Sequence, residues 1–177
     1  MNRSLHCLVV SLLVAGCSTY ATSRYSASVD NVMALKSYQG HSVSVGEFTS
    51  AKPGLRELPC RAVGPITTPD GEPFSEFVRK ALIDELRLAE VYAPNAPVTL
   101  AGHLAEIDFS SVSGDWNIQL TVKSTNGKSL SVSEKYSYRT SYFGETACNQ
   151  TAQALMPAVQ DLIGRLVRGP EFRTLIE

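Results

Sequence analysis

Hydrolysis by side chains alone needs a nucleophile, an imidazole base and a carboxylate that orients the base. The chain has three histidines. His6 falls in an apolar N-terminal run, which leaves His41 and His103. There is no Gly-x-Ser-x-Gly elbow and no His-Glu-x-x-His zinc pair, so neither common route to an activated nucleophile is written in the chain. His103 lies on the polar phase of an alternating stretch, with Asp108 and Ser110 further along. A half-exposed strand imidazole accounts for that placement without chemistry. Gly40, Gly46 and Gly54 lack the strand-to-helix spacing that cradles a phosphate. No catalytic residue, metal site or cofactor is expected. An enzyme acting on cell wall or peptide would need one of these histidines beside a nucleophile and a carboxylate in one cleft.

Two other features carry chemical interest. Tyr136, Tyr138, Tyr142 and Phe143 form an aromatic run. Aromatic side chains bury much area at little entropy cost, which suits an interaction surface. The same alternation also suits the core face of a sheet. Glu134 shares the phase of Leu130, Val132 and Tyr136. A buried ionised carboxylate there needs a partner. The expectation is that this face opens to solvent at Glu134, or that Lys135 and Arg139 relieve its charge.

The 177 residues suit one domain, with 44% hydrophobic and 19% charged residues, close to ordinary globular usage. A chain of this length can bury a core without a metal or a dense disulfide framework. The formal charge is −1, and no run of like charges is present. Phosphate recognition needs a local excess of Lys and Arg, so no nucleic-acid partner is expected.

The first residues read as a secretory signal. Arg3 supplies a positive start. The stretch from Leu5 to Val14 is apolar apart from His6 and Ser11. At about ten residues it is too short to span a bilayer. Val14-Ala15-Gly16-Cys17 then places small residues before a cysteine. This resembles the lipobox of bacterial lipoproteins, with Val14 where Leu is commoner. The resemblance implies cleavage before Cys17 and diacylglycerol on its sulfur, a durable anchor because each buried CH₂ contributes about 0.8 kcal/mol. In that family Asp after the cysteine favours the inner membrane. Ser18 stands there, so the resemblance implies the outer membrane, facing the periplasm. The membrane, through that lipid, is one expected partner. Residues 1–16 are thus expected to be a signal peptide, 17–28 a lipidated start with a flexible tether, and 29–177 a single periplasmic domain.

Of the four cysteines, Cys7 leaves with such a signal and Cys17 carries lipid. Cys60 and Cys148 remain, an even pair in an oxidising compartment, and a disulfide between them is expected. A metal site would want further ligands nearby, and none has suitable spacing. Two buried free thiols are the remaining alternative.

Periodicity organises the rest. Asp30 begins a short helical turn ended by Gly40. Residues 41–48 read as a strand, with Val43 and Val45 on one face. Residues 49–73 are rich in turn chemistry and read as a loop. Pro73 opens a helix whose stripe is Phe74, Phe77, Val78, Ala81, Leu82, Leu86 and Ala89, stopping near Val91 to Tyr92. Three strands follow. In the first, the apolar phase shifts between Leu104 and Ile107, so a bulge is expected near Ala105 and Glu106. The second alternates through Trp116, Ile118, Leu120 and Val122. Asn126-Gly127 predicts a type I′ hairpin into a third strand over residues 128–142. A long helix from about Glu145 to Arg168 closes the domain, stopped by Gly169-Pro170, and Phe172, Leu175 and Ile176 make a last turn. The class is α+β: an antiparallel sheet of about four strands, two main helices on one face, in the order β-α-β-β-β-α.

Val98-Thr99-Leu100 leading into the Ile107 strand, Trp116-Asn117-Ile118, the Asn126-Gly127 turn, Tyr136 to Tyr142 and Phe172-Arg173-Thr174-Leu175-Ile176 resemble the YajG-like family of outer-membrane lipoproteins. More loosely they resemble the lipoprotein plug of the lipopolysaccharide translocon. The likeness runs over roughly residues 74–177. It implies no enzyme activity, and a role as an accessory part of an envelope machine with an envelope protein as partner. The paired Cys60 and Cys148 and the long stretch before Pro73 are departures from that family. The sequence reading is therefore a non-catalytic binding or assembly module. A lipid or small-molecule carrier, with an apolar slot under the helices, is the competing expectation.

Overall fold

The alternation of apolar and polar residues builds the main sheet in the computed structural model, which describes residues 19–177. The expected signal, Cys17 and Ser18 lie outside the described residues. The elements run β1 (Tyr20–Ala21), α1 (Val29–Lys36), β2 (Val43–Ser50), β3 (Glu57–Cys60), β4 (Gly64–Thr67), α2 (Phe74–Leu88), β5 (Val98–Ser110), β6 (Asp115–Ser124), β7 (Ser129–Ser137), α3 (Gly144–Val167) and α4 (Phe172–Ile176).

The four-stranded sheet has the order β2-β5-β6-β7. The last three strands form the expected antiparallel meander. β2 lies parallel to β5 at the edge, so the sheet is mixed. A parallel pair needs a crossover connection, and α2 supplies it. Trp116, Ile118, Leu120 and Val122 are all buried under α2 and α3. The bulge is where the apolar phase shifts: Leu104 pairs with Leu120, but Glu106 pairs with Gln119. Gly102 is required by close approach. A Cβ there would sit 2.5 Å from the ring of Phe48 on β2.

Residues 49–73 are not a plain loop. They hold β3 and β4, an antiparallel hairpin that forms a second sheet with β1 in the order β1-β4-β3. Its two prolines hid it, since Pro counts against a strand. Pro59 and Pro65 face each other, which two prolines can do only at a pair exchanging no N–H bonds.

The tether expectation fails for the described residues before Val29. Tyr20 and Ala21 pair in parallel with Ile66 and Thr67. Ser23 Oγ donates to Gln153 Oε1 at 2.6 Å, Gln160 Nε2 donates to the Ser26 carbonyl at 2.6 Å, and Arg24 pairs with Asp70 at 2.6 Å. The segment therefore runs along α3 from its first third towards its end.

Helix ends differ by small amounts for local reasons. Pro73 caps α2 rather than opening it. The helix stops at Leu88 because Glu90 takes a left-handed φ of 63°. The Val91 N–H then bonds the Leu86 carbonyl at 3.0 Å, a Schellman closure usually built on glycine. At the β6–β7 turn only Gly127 is left-handed, at φ 87°. With Ser124 N–H on the Lys128 carbonyl at 2.9 Å, the turn is a three-residue loop with a glycine bulge, not type I′. β7 ends at Ser137, five residues before the expected limit. There the Tyr138 N–H leaves the ladder for the Gly114 carbonyl at 2.7 Å.

Candidate functional site

That early end of β7 divides the aromatic run. Tyr136 and Tyr138 stay half-buried against the core. The Tyr138 hydroxyl bonds Thr151 Oγ1 at 2.8 Å, and burial pushes its pKa up, which keeps it a neutral hydroxyl. Tyr142 and Phe143 fall beyond the sheet, 94% and 74% exposed, with rings 6.1 Å apart. The run is therefore core in its first half and surface in its second. Nothing in the alternation marks the change, because it depends on where Gly114 receives the chain.

A rigid frame holds this aromatic pair. The tip of the β3–β4 hairpin turns through Arg61 and Ala62, with φ of 45° and 53°. Left-handed backbone at non-glycine residues persists only where surroundings enforce it. Here the Arg61 guanidinium donates to Ser111 Oγ at 3.0 Å, to the Ser111 carbonyl at 2.5 Å and to the Tyr142 carbonyl at 2.9 Å. Thr140 Oγ1 donates to the same Ser111 carbonyl. One residue before the turn, Cys60 is bonded to Cys148 in α3, with Cα atoms 5.9 Å apart. This disulfide is the pair the sequence points to. Val63 packs against Gly144, where a Cβ would meet its methyl at 2.9 Å. Val112, 77% exposed, follows Ser111. The hairpin tip, the β5–β6 turn and the start of α3 thus form one end of the domain, with Ala62, Val112, Tyr142 and Phe143 on its surface. A groove of about 470 Å³ beside it is lined by Glu57, Pro59, Cys60, Ala62, Val63, Gly64 and Pro65.

Glu134 is buried, 6% exposed, and its partner is Arg165 of α3. Neither solvent nor Lys135 and Arg139 provide the relief that the sequence pattern implied. Burial pushes the carboxyl of neighbouring Asp161 up, and the Glu134 charge adds to that. Asp161, Arg165 and Arg168 line one groove with Glu134, two acids against two bases.

A second buried carboxylate, Glu85 of α2, was not singled out by spacing because it sits on the charged side of the helix pattern. It is fully buried. Its Oε1 accepts from the Tyr25 hydroxyl at 2.6 Å, the Ser28 N–H at 2.8 Å and Asn31 Nδ2 at 3.3 Å. Burial, then the Glu85 hydrogen bond, push the Tyr25 hydroxyl well above its ordinary pKa, so it remains a donor. Asn31 Oδ1 in turn accepts from Arg168 at 2.7 Å. Glu85 therefore clamps the N-terminal segment and α1 onto α2 and α3. Glu85→Ala should lower stability by about 2 to 4 kcal/mol, because the half-buried Tyr25 hydroxyl and Ser28 N–H lose their acceptor and Asn31 Nδ2 keeps only the Gln160 carbonyl. Glu85→Gln, which keeps an acceptor oxygen, should cost less. Urea unfolding measures both; a Glu85→Ala loss within about 0.5 kcal/mol, as for an ordinary surface change, would show that the clamp holds nothing.

His41, in the connection before β2, and His103, in β5, are both exposed. His103 Nδ1 lies 2.9 Å from Thr49 Oγ1, its cross-strand partner in β2. Among the described residues no group of three His, Cys, Asp or Glu could hold a metal ion. The space between sheet and helices is filled by Trp116, Phe74, Leu82, Leu86, Leu155 and their neighbours, all fully buried. The carrier expectation asked for an enclosed slot there.

No protein-family model and no curated protein matches the chain. Among solved structures, it is similar to protein XCC0632 from Xanthomonas campestris, of the family DUF330. The TM-score is 0.55 at 11% identity, over 89% of this chain and 99% of that one. At that identity the likeness is one of fold.

Proposed function

We propose that this protein is a lipid-anchored cell-envelope component that acts by binding, as a non-catalytic assembly or accessory module on the periplasmic side of the outer membrane. The observation that carries the proposal is Val14-Ala15-Gly16-Cys17 behind a charged and then apolar start. Ser18 supports the outer membrane, and the YajG-like pattern from Val98 to Ile176 supports an accessory role. The Cys60–Cys148 bridge suits an oxidising compartment. No helix among the described residues is long and apolar enough to cross a membrane.

Cys17→Ser tests it. Cells fed labelled palmitate should label the wild-type protein and not the variant, and the wild type should sediment with outer membranes while the variant stays unprocessed or soluble. Processed Cys17→Ser protein that remains tightly membrane-bound would refute the anchor. Crosslinking in intact cells should recover a reproducible envelope-protein partner.

A further inference from the structure

We propose that the end of the domain carrying Tyr142, Phe143, Val112 and Ala62 is a bilayer-contacting surface that seats the protein on the lipid interface beside its anchor. This rests on the lipid-anchor reading above.

Chain direction supplies the first argument. Tyr20 pairs in parallel with Ile66, and β4 runs from Gly64 to Thr67. From Ala21 back to Tyr20, β1 therefore points towards Gly64 and the hairpin tip. The contacts along α3 agree: Ser26 bonds Gln160, Ser23 bonds Gln153, and earlier residues approach the Gly144 end, where Phe143 stands. Cys17 is three residues before Tyr20. With 3.8 Å between successive Cα atoms, its Cα lies at most about 11 Å from that of Tyr20. Because the segment from Tyr20 onward is bonded to the domain, that reach is all that separates lipid from fold, which keeps the hairpin end within range of the acyl chains.

The side chains supply the second argument. Tyr favours the membrane–water boundary, where ring and hydroxyl are both accommodated, and Phe adds apolar area that can enter the acyl boundary. Exposures of 94% and 74% for two adjacent aromatic residues, with Val112 at 77%, put unpartnered apolar area at the very end the anchor approaches. Arg139 and Glu145, of opposite charge and both exposed, flank the pair, so contact should depend on apolar area rather than on anionic lipid.

The third argument is rigidity. Arg61 grips the carbonyls of both Ser111 and Tyr142, and the disulfide holds the tip to α3. A backbone so braced presents its side chains with no loop left to order on contact.

The test uses purified full-length acylated protein in vesicles of phosphatidylethanolamine and phosphatidylglycerol doped with brominated lipid. Trp116 is the sole tryptophan and is fully buried, so wild-type fluorescence should respond little to bromine. The indole introduced by Phe143→Trp should be quenched at least two-fold and shift to shorter wavelength. The indole introduced by Val29→Trp, exposed on α1 beyond the Gln160 contact, should not respond. A vesicle-bound Phe143→Trp protein with no quenching overturns the surface while leaving the anchor intact. A second arm removes the anchor: Cys17→Ser protein should partition weakly onto the same vesicles, and Tyr142→Ser with Phe143→Ser should reduce that partition about ten-fold. If the purified protein carries no acyl group, that arm alone decides the surface, and unchanged partition overturns it.

Discussion

Replacing both Cys60 and Cys148 by alanine should lower the unfolding free energy by about 2 to 5 kcal/mol. The two cysteines are 88 residues apart. In the chain-entropy account a bridge over so long a loop contributes close to the top of that range, because it removes the most freedom from the unfolded chain. Both side chains are buried, so alanine also forfeits some packing. The loss should be uneven. Cys60 immediately precedes the left-handed Arg61 and Ala62, and the bridge is one of the holds that keep that turn in place. Without it, residues 60–64 should open before the main sheet does, exposing them to protease and raising their amide exchange. Urea unfolding gives the total, and exchange gives its distribution. A loss below about 1 kcal/mol, or uniform exchange, would mean that the other holds on the hairpin suffice without the bridge.

Trp116→Ala should cost a further large amount, about 3 to 5 kcal/mol. Trp116 is fully buried. Its ring lies 4.9 Å from Phe109 and 6.4 Å from Phe74, and its Nε1–H donates to the Thr151 carbonyl at 2.9 Å. The residue thus joins sheet, α2 and α3. Alanine would leave a cavity among side chains that other contacts hold in place. Trp116→Phe should cost only about 1 to 2 kcal/mol, since most of the volume remains and one hydrogen bond is lost. Because no other tryptophan is present, circular dichroism rather than fluorescence should follow the melts, with about 2 to 4 °C lost per kcal/mol. Equal losses for alanine and phenylalanine would place the effect in the hydrogen bond rather than the packing.

Legibility in the sequence follows the reach of each interaction. Trp116, Ile118, Leu120 and Val122 alternate strictly, and their strand is readable because one face is buried along its whole length. The bulge at Ala105 is readable because a shift of phase has one structural meaning. The β3–β4 hairpin was hidden by Pro59 and Pro65, whose suitability depends on facing each other. Residues 20–28 carry no periodicity, because their attachments are a two-residue strand against Ile66 and Thr67 and scattered bonds to Asp70, Glu85, Gln153 and Gln160. Glu134 illustrates the same limit: its neighbours in sequence, Lys135 and Arg139, were visible, but its partner Arg165 comes from a helix thirty-one residues on. The aromatic run was visible as a candidate, yet its division into a packed half and an exposed half was not, because Gly114 decides it from another turn.

The attachment of residues 20–31 also sets an order of events for a chain that emerges N-terminus first. These residues are made before every group that receives them: Ile66, Glu85, Gln153, Gln160 and Arg168. This early segment is therefore among the last to dock, since α3 must exist before its side can be lined. A chain whose start is already tied to a membrane would wait there, loosely extended, until its final helix arrived, and only then be drawn down against the surface.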